Sequence, residues 1–179
     1  MHHERIAIID FGSQYTRLIT RRLRELGAFG LVYNSNATAE EIGGADLKGV
    51  ILSGGPMSVL EPGAPDLDPK ILALGVPVLG ICYGQQLLAR NLGGQIHRST
   101  SREYGKAEIT AQPEGSLLFE GLPHQQIVWM SHGDHVEAAP AGFTVTAKTP
   151  TVPVAAMEDP SRRLYAIQFH PEVTHSTQG

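Results

Sequence analysis

The chain of 179 residues is 41% hydrophobic and 18% charged, with a formal net charge of −4 and a pI near 6.0. That balance describes an ordinary globular domain and leaves no basic field for a nucleic acid or an anionic membrane. The single cysteine excludes an intramolecular disulfide, and with no signal peptide and no apolar stretch near the roughly 20 residues of a membrane span, a reducing, cytoplasmic setting is expected.

His2-His3 reads as a frayed, solvated terminus. Arg5 to Asp10 reads as a buried strand, and Phe11-Gly12-Ser13 as a turn with Ser13 the helix N-cap. Gln14 to Leu26 has helical spacing: Tyr15, Leu18, Ile19, Leu23 and Leu26 share one face, four arginines occupy the rest, and Gly27 stops it. A second strand covers Gly30 to Tyr33, and Thr38-Ala39-Glu40-Glu41 is a capping box opening a short helix. Gly49 to Ser53 is a third strand, ending in Ser53-Gly54-Gly55-Pro56. A loop from Glu61 to Pro69 precedes a short helix from Lys70 to Leu74. An apolar strand from Val76 runs into Cys82, and a helix over Gln85 to Asn91 closes at Gly93-Gly94.

Strand and helix alternate to this point, which predicts a parallel sheet with helices on its faces. Beyond Gly94 come short strand-like segments without long helices: Gln95–Arg98, Lys106–Thr110, Ile127–Met130, Gly142–Lys148, Val154–Glu158 and Leu164–Phe169. These predict antiparallel additions in the C-terminal half. No linker interrupts the chain, so residues 1–179 are expected to form a single α/β domain around a mostly parallel mixed sheet.

Cys82 lies in Gly80-Ile81-Cys82-Tyr83-Gly84, where an apolar strand turns sharply into a helix. That is a nucleophile elbow with sulfur in place of a serine oxygen, cramped enough to call for glycine on both sides. A helix N-terminus also favours a thiolate. A lone cysteine is more commonly a small buried hydrophobe. The two glycines and the strand-to-helix switch favour the nucleophile here. A thiol nucleophile needs a base, and the base needs an acceptor to hold its tautomer. Leu164 to Phe169 ends in His170-Pro171-Glu172, which supplies both. The oxyanion formed by attack needs backbone N–H donors, and Gly55 and Tyr83 are the candidates. A plain turn is the ordinary reading of Gly-Gly-Pro, but ligands of open parallel sheets collect at the carboxyl ends of strands, where Gly55, Cys82 and His170 all lie. In Trp129-Met130-Ser131-His132-Gly133-Asp134-His135 the histidine spacing suggests a metal site. No second ligand cluster accompanies it, so a polar turn lining the pocket is favoured and no metal is expected.

Taken in order, these pieces resemble the class I (triad-type) glutamine amidotransferase family. Asp10-Phe11-Gly12-Ser13-Gln14-Tyr15, Ile51 to Pro56, Met130 to Asp134 and Gln168 to His175 narrow the resemblance to the amidotransferase domains of GMP synthetases. The resemblance covers essentially the whole chain and implies a flavodoxin-like sheet. It implies that Cys82 attacks the carboxamide of glutamine to form a thioester, with His170 as acid and base, Glu172 orienting it, and Gly55 and Tyr83 as the oxyanion hole. Gly54, Gln86, Ser131 and His132 would bind glutamine. Gln85 departs from the pattern, standing where Met is common. The ammonia would aminate XMP to GMP on an ATP-pyrophosphatase (synthetase) domain, in cis or in trans. No pyrophosphate loop occurs here, so that domain, with its ATP and Mg, is expected outside this chain, and no cofactor is expected within it. The chain would then be a fragment of a fused enzyme or a separate glutaminase subunit, weakly active alone. Two alternatives stay open: an amidotransferase or γ-glutamyl hydrolase serving another reaction, and an inactive docking module, against which the intact triad argues.

Overall fold

In chain order the elements are β1 (Arg5–Asp10), α1 (Thr16–Glu25), β2 (Phe29–Asn34), α2 (Ala39–Ile42), β3 (Leu47–Leu52), a 3-10 turn (Pro69–Ala73), β4 (Val78–Ile81), α3 (Tyr83–Asn91), β5 (Gln95–His97), β6 (Glu103–Ala111), β7 (Gln125–His132), β8 (His135–Ala138), β9 (Thr144–Lys148), β10 (Ala156–Asp159) and β11 (Leu164–Ile167). They come from a computed structural model that describes residues 4–100 and 102–179. His2 and His3 lie outside the described residues.

Nine strands form one sheet in the order β2-β1-β3-β4-β11-β10-β9-β6-β7. The first five are parallel and follow the 2-1-3-4-5 order of a flavodoxin-like sheet, with β11 in fifth place. The other four are antiparallel. Ala7 and Ile9 of β1 enter one hydrophobic core and Ile8 the other. Alternate side chains of a strand point to opposite faces, so the unbroken apolar run of β1 reflects cover on both.

The structure corrects several expectations. β11 is no antiparallel addition: it lies parallel to β4, with Leu164 and Ala166 in one core and Ile167 in the other. The chain makes its antiparallel excursion through β6 to β10 and then inserts β11 into the parallel half. β8 was not anticipated, because Val136 is its one deeply buried apolar residue. It pairs with β5 in a separate two-stranded sheet. Helix α1 begins at Thr16, and Ser13 is not its N-cap: its Oγ accepts from Tyr15 N at 3.0 Å in the turn before the helix. Leu26, assigned to the buried face, follows the last helical residue and is 82% exposed. The capping box of α2 is present, with Thr38 and Glu41 bonded reciprocally.

Residues 83 to 89 of α3 are all buried. The helix packs against β3, β4 and β11 on one side and the β5–β8 pair on another, so its first two turns have no solvent face. Its N-terminus meets the carboxyl ends of β3, β4 and β11 and the ring of Phe11, the residue after β1. The far-edge strand β7 returns to the same place: His170 N donates to Trp129 O at 2.9 Å and Thr177 N to Ile127 O at 3.0 Å. Among the described residues no helix is long and apolar enough to cross a membrane.

Candidate active site

Cys82 alone turns the chain between β4 and α3, at φ 54° and ψ −106°. A side chain at positive φ costs on the order of 1–3 kcal/mol and persists only where its surroundings over-determine it. Here they do: Cys82 N donates to Ile167 O at 2.8 Å, and Gly84 N donates to Ser53 O at 3.1 Å. A Cβ on Gly80 would come within 2.6 Å of Gly84 O, and one on Gly84 would collide with the Leu52 carbonyl. The sharp return of the chain into α3 therefore demands Gly80, and the close passage of β3 demands Gly84.

His170 and Glu172 follow β11, the strand beside β4. His170 Nδ1 is 2.7 Å from Glu172 Oε1, and both residues are buried. Ser176 Oγ donates to His170 O at 2.6 Å while accepting from Trp129 N at 3.0 Å, tying the segment to β7. Burial pulls the proton affinity of His170 down. Hydrogen bonds to Cys82 and Glu172, together with their charges, outweigh it and push the pKa up from 6.5 to about 10. At neutral pH this imidazole holds a proton. The Tyr15 ring stands edge-on to it, with centroids 5.0 Å apart.

The turn after β3 is braced by the loop after β1. Ser53 Oγ accepts from Phe11 N at 3.0 Å and donates to Gly54 O at 2.9 Å. A Cβ on Gly55 would lie 2.5 Å from Phe11 O, so only glycine fits there. Gly54 stands between base and nucleophile: a Cβ would be 3.0 Å from His170 Cε1 and 3.6 Å from Cys82 Cβ. Gly55 lines the cleft, whereas Gly54 packs against Cys82 and His170. Tyr83 opens α3, so its N–H belongs to the first turn, whose donors the helix itself leaves without partners.

The cleft has a volume of about 500 Å3, and Cys82, Gln86, Ser131, His132, Asp134 and His170 are among its lining residues. The remaining sequence-derived candidates therefore converge on it. Cys82 Sγ donates to Ser131 O at 3.4 Å. Gln86 Nε2 donates to Asp134 O at 2.7 Å and to Gln168 Oε1 at 3.2 Å. His132 Nδ1 bonds Asp134 O at 3.1 Å, and its Nε2 is 3.0 Å from Glu103 Oε2. Burial pushes its pKa down from the ordinary value, while the Glu103 charge and the bond to Asp134 O act in the opposite sense. Gln85 faces away from the cleft, donating to Val154 O at 3.1 Å. The His132 and His135 rings are 6.5 Å apart, and among the described residues no group of three or more His, Cys, Asp or Glu could hold a metal ion.

Sequence reasoning missed two residues of this site. Tyr15 was assigned to a helix face, yet it precedes the helix and meets His170. Gln168 is fully buried, with Nε2 3.6 Å from Cys82 Sγ. A signal for Gln168 existed: residues two apart in an extended chain share a face, and Gln168, His170 and Glu172 are so spaced.

The family model of glutamine amidotransferase class-I matches residues 7–179. A glutamine-hydrolysing GMP synthase of Geobacillus kaustophilus is 54% identical over 179 residues, 100% of this chain and 35% of that protein. One of Streptomyces coelicolor is 51% identical over 174 residues, 97% of this chain and 33% of that protein. The chain thus spans about a third of the length of these curated relatives. Among solved structures, a Thermoplasma acidophilum protein described as a subunit of GMP synthase superposes with a TM-score of 0.83 at 32% identity, covering 98% of this chain and 88% of that one. A Thermotoga maritima glutamine amidotransferase shares the fold, with a TM-score of 0.77 at 23% identity over 97% of this chain and 78% of that one.

Proposed function

This chain belongs to the class-I glutamine amidotransferase family, and from that premise we propose that its cleft releases ammonia from glutamine for a synthetase domain that aminates XMP to GMP. The observation that carries the reading is the meeting of Cys82, on its strained elbow, with the His170–Glu172 pair at the ends of adjacent parallel strands. The Cys82 thiolate attacks the side-chain carbonyl carbon of glutamine, and the N–H groups of Gly55 and Tyr83 receive the oxyanion. The imidazolium of His170 gives its proton to the departing nitrogen, so ammonia leaves and a glutamyl thioester remains. Neutral His170 then takes a proton from water, the hydroxide attacks the thioester, and glutamate leaves as the thiolate is restored. Glu172 holds the ring through Nδ1 and stabilises its charged form. Gln86 and the 131–132 segment hold the substrate. The relatives named GMP synthase support XMP as the acceptor, and their extra length gives room for an ATP- and Mg-dependent domain in cis. The relative described as a GMP synthase subunit supports an arrangement in trans.

Glutamate release by the purified chain tests this, alone and with the synthetase portion of a GMP synthase plus XMP, ATP and Mg. The expectation is slow release alone and faster release with the partner. Cys82→Ala should lower either rate by about 10⁴-fold or more. Equal rates for Cys82→Ala and the natural chain would overturn the nucleophile. Glutamine binding without turnover, even with the partner, would overturn the hydrolase and leave a docking module.

A further inference from the structure

The nucleophile has a neighbour that the mechanism above does not use. Gln168 is fully buried, and its carboxamide lies between two groups: Cys82 Sγ at 3.6 Å from Nε2, and Gln86 Nε2 at 3.2 Å from Oε1. Which end of an amide faces which neighbour must be settled from the bonding network. Here the network leaves one solution. Asp134 O is a backbone carbonyl and can only accept, so the Gln86 group 2.7 Å from it is the NH₂. The same NH₂ meets Gln168, so Gln168 turns its oxygen toward Gln86. Its own NH₂ is then the group that faces the sulfur.

We propose that the Gln168 carboxamide is a fixed hydrogen-bond donor to the reacting sulfur, with its orientation set from the Asp134 carbonyl through Gln86. This deepens the proposed reading of Cys82 as the nucleophile and rests on it. Among the described residues the sulfur has two polar contacts of opposite kind besides His170. Ser131 O accepts from the thiol at 3.4 Å, an interaction that exists only while the sulfur keeps its proton. Gln168 donates, an interaction that strengthens when the sulfur becomes an anion. Loss of the thiol proton therefore removes the first contact and reinforces the second. The amide selects the charged state that attacks, and it does so at a buried position where a donor counts for more than in water. It is also ready when glutamine enters, because both of its ends are already engaged.

The test uses the fact that the chain has one cysteine, so any thiol signal is that of Cys82. Alkylation by iodoacetamide follows the thiolate and needs no glutamine. Gln168→Met keeps the length and removes the donor; alkylation at pH 7 should slow about five-fold, with its pH profile displaced to higher pH. Gln168→Glu puts a like charge beside the anion and should slow it further. The charged and titratable groups next to the sulfur, His170 and behind it Glu172, are untouched in both, so the displacement reads the amide. Circular dichroism shows whether each variant is folded. Should Gln168→Met not fold, Gln86→Met tests the same chain of bonds from its other end. It frees Gln168 to flip and should slow alkylation by a smaller factor in the same direction. An unchanged pH profile in a folded Gln168→Met, or in Gln86→Met if that is the only one folded, overturns the proposal. A displaced profile in a chain that never hydrolyses glutamine would instead keep the donor and overturn the function proposed above.

Discussion

In the parallel half of the sheet, β4 and β11 deliver Cys82 and His170 on backbone with no slack: a positive φ, strand ends in contact, and glycines where a single methyl would collide. In the antiparallel half, the end of β7 and the turn that follows it bring Ser131, His132 and Asp134 to the same cleft on backbone of ordinary geometry, held by side chains. Gln86 and His132 both reach Asp134 O, and Ser58 Oγ donates to the Asp134 carboxylate. Rigid backbone carries the groups that would make and break bonds. An adjustable wall faces what enters. Reaction geometry tolerates errors well under 1 Å, whereas a binding wall can repack around its ligand, and the two halves meet those different demands.

Gly84→Ala should show the largest effect. Its Cβ would drive into the Leu52 carbonyl, and neither α3 nor β3 can retreat without breaking the bond between Gly84 N and Ser53 O. The cost is about 3 kcal/mol or more, enough to unfold a marginal domain or misplace the elbow. Urea melts would measure it. A cost near zero would mean that the elbow is looser than the packing indicates.

The parallel half was the legible one. Its strands announce themselves as apolar runs and its helices by spacing and caps, and the two elbow glycines sit immediately around Cys82 in the sequence. That is why Cys82, Gly55 and His170–Glu172 could be named together. The antiparallel half depends on pairing between distant segments, which leaves little local trace. β8, outside the main sheet, has one deeply buried apolar residue. β11 is the exception within the parallel half, since its apolar run reads the same whether its neighbour runs parallel or antiparallel. Gln168 and Tyr15 were hidden for a related reason. Each has an ordinary local reading, in a strand or beside a helix, and only the fold places them against Cys82 and His170.

Two buried histidines, one from each half, titrate in opposite senses, which predicts an asymmetric stability profile. His170 is raised to about 10 in the folded chain, above its ordinary 6.5. The stability it contributes is complete below pH 6.5, declines between 6.5 and 10, and is gone above. The amount is on the order of a few kcal/mol. His132 is lowered by burial, so its contribution is present above pH 6.5 and is lost as pH falls through its folded value. Melting temperatures from pH 5 to 10 should fall at both ends. His170→Gln should flatten the alkaline limb and His132→Gln the acid limb. A variant that flattened the opposite limb, or neither, would break the comparison.

The smallest effect should come from a methyl added to the other wall. Gly133 lies in the turn between β7 and β8, at a backbone conformation open to L residues, and among the described residues a Cβ there would meet only Arg102 Cγ at 3.7 Å. That is ordinary van der Waals contact with a flexible, exposed side chain. Gly133→Ala should therefore change stability by no more than about 0.5 kcal/mol. Because residue 133 lines the cleft while the reacting sulfur and imidazole are held by β4 and β11, any kinetic change should fall on KM and leave kcat near its original value. The same atom added at Gly84 and at Gly133 thus separates the two halves, through unfolding free energy in one and substrate affinity in the other. If Gly133→Ala lowered kcat as strongly as a change at the elbow, the wall would be part of the rigid constellation, and the division between backbone-held chemistry and side-chain-held binding would fail.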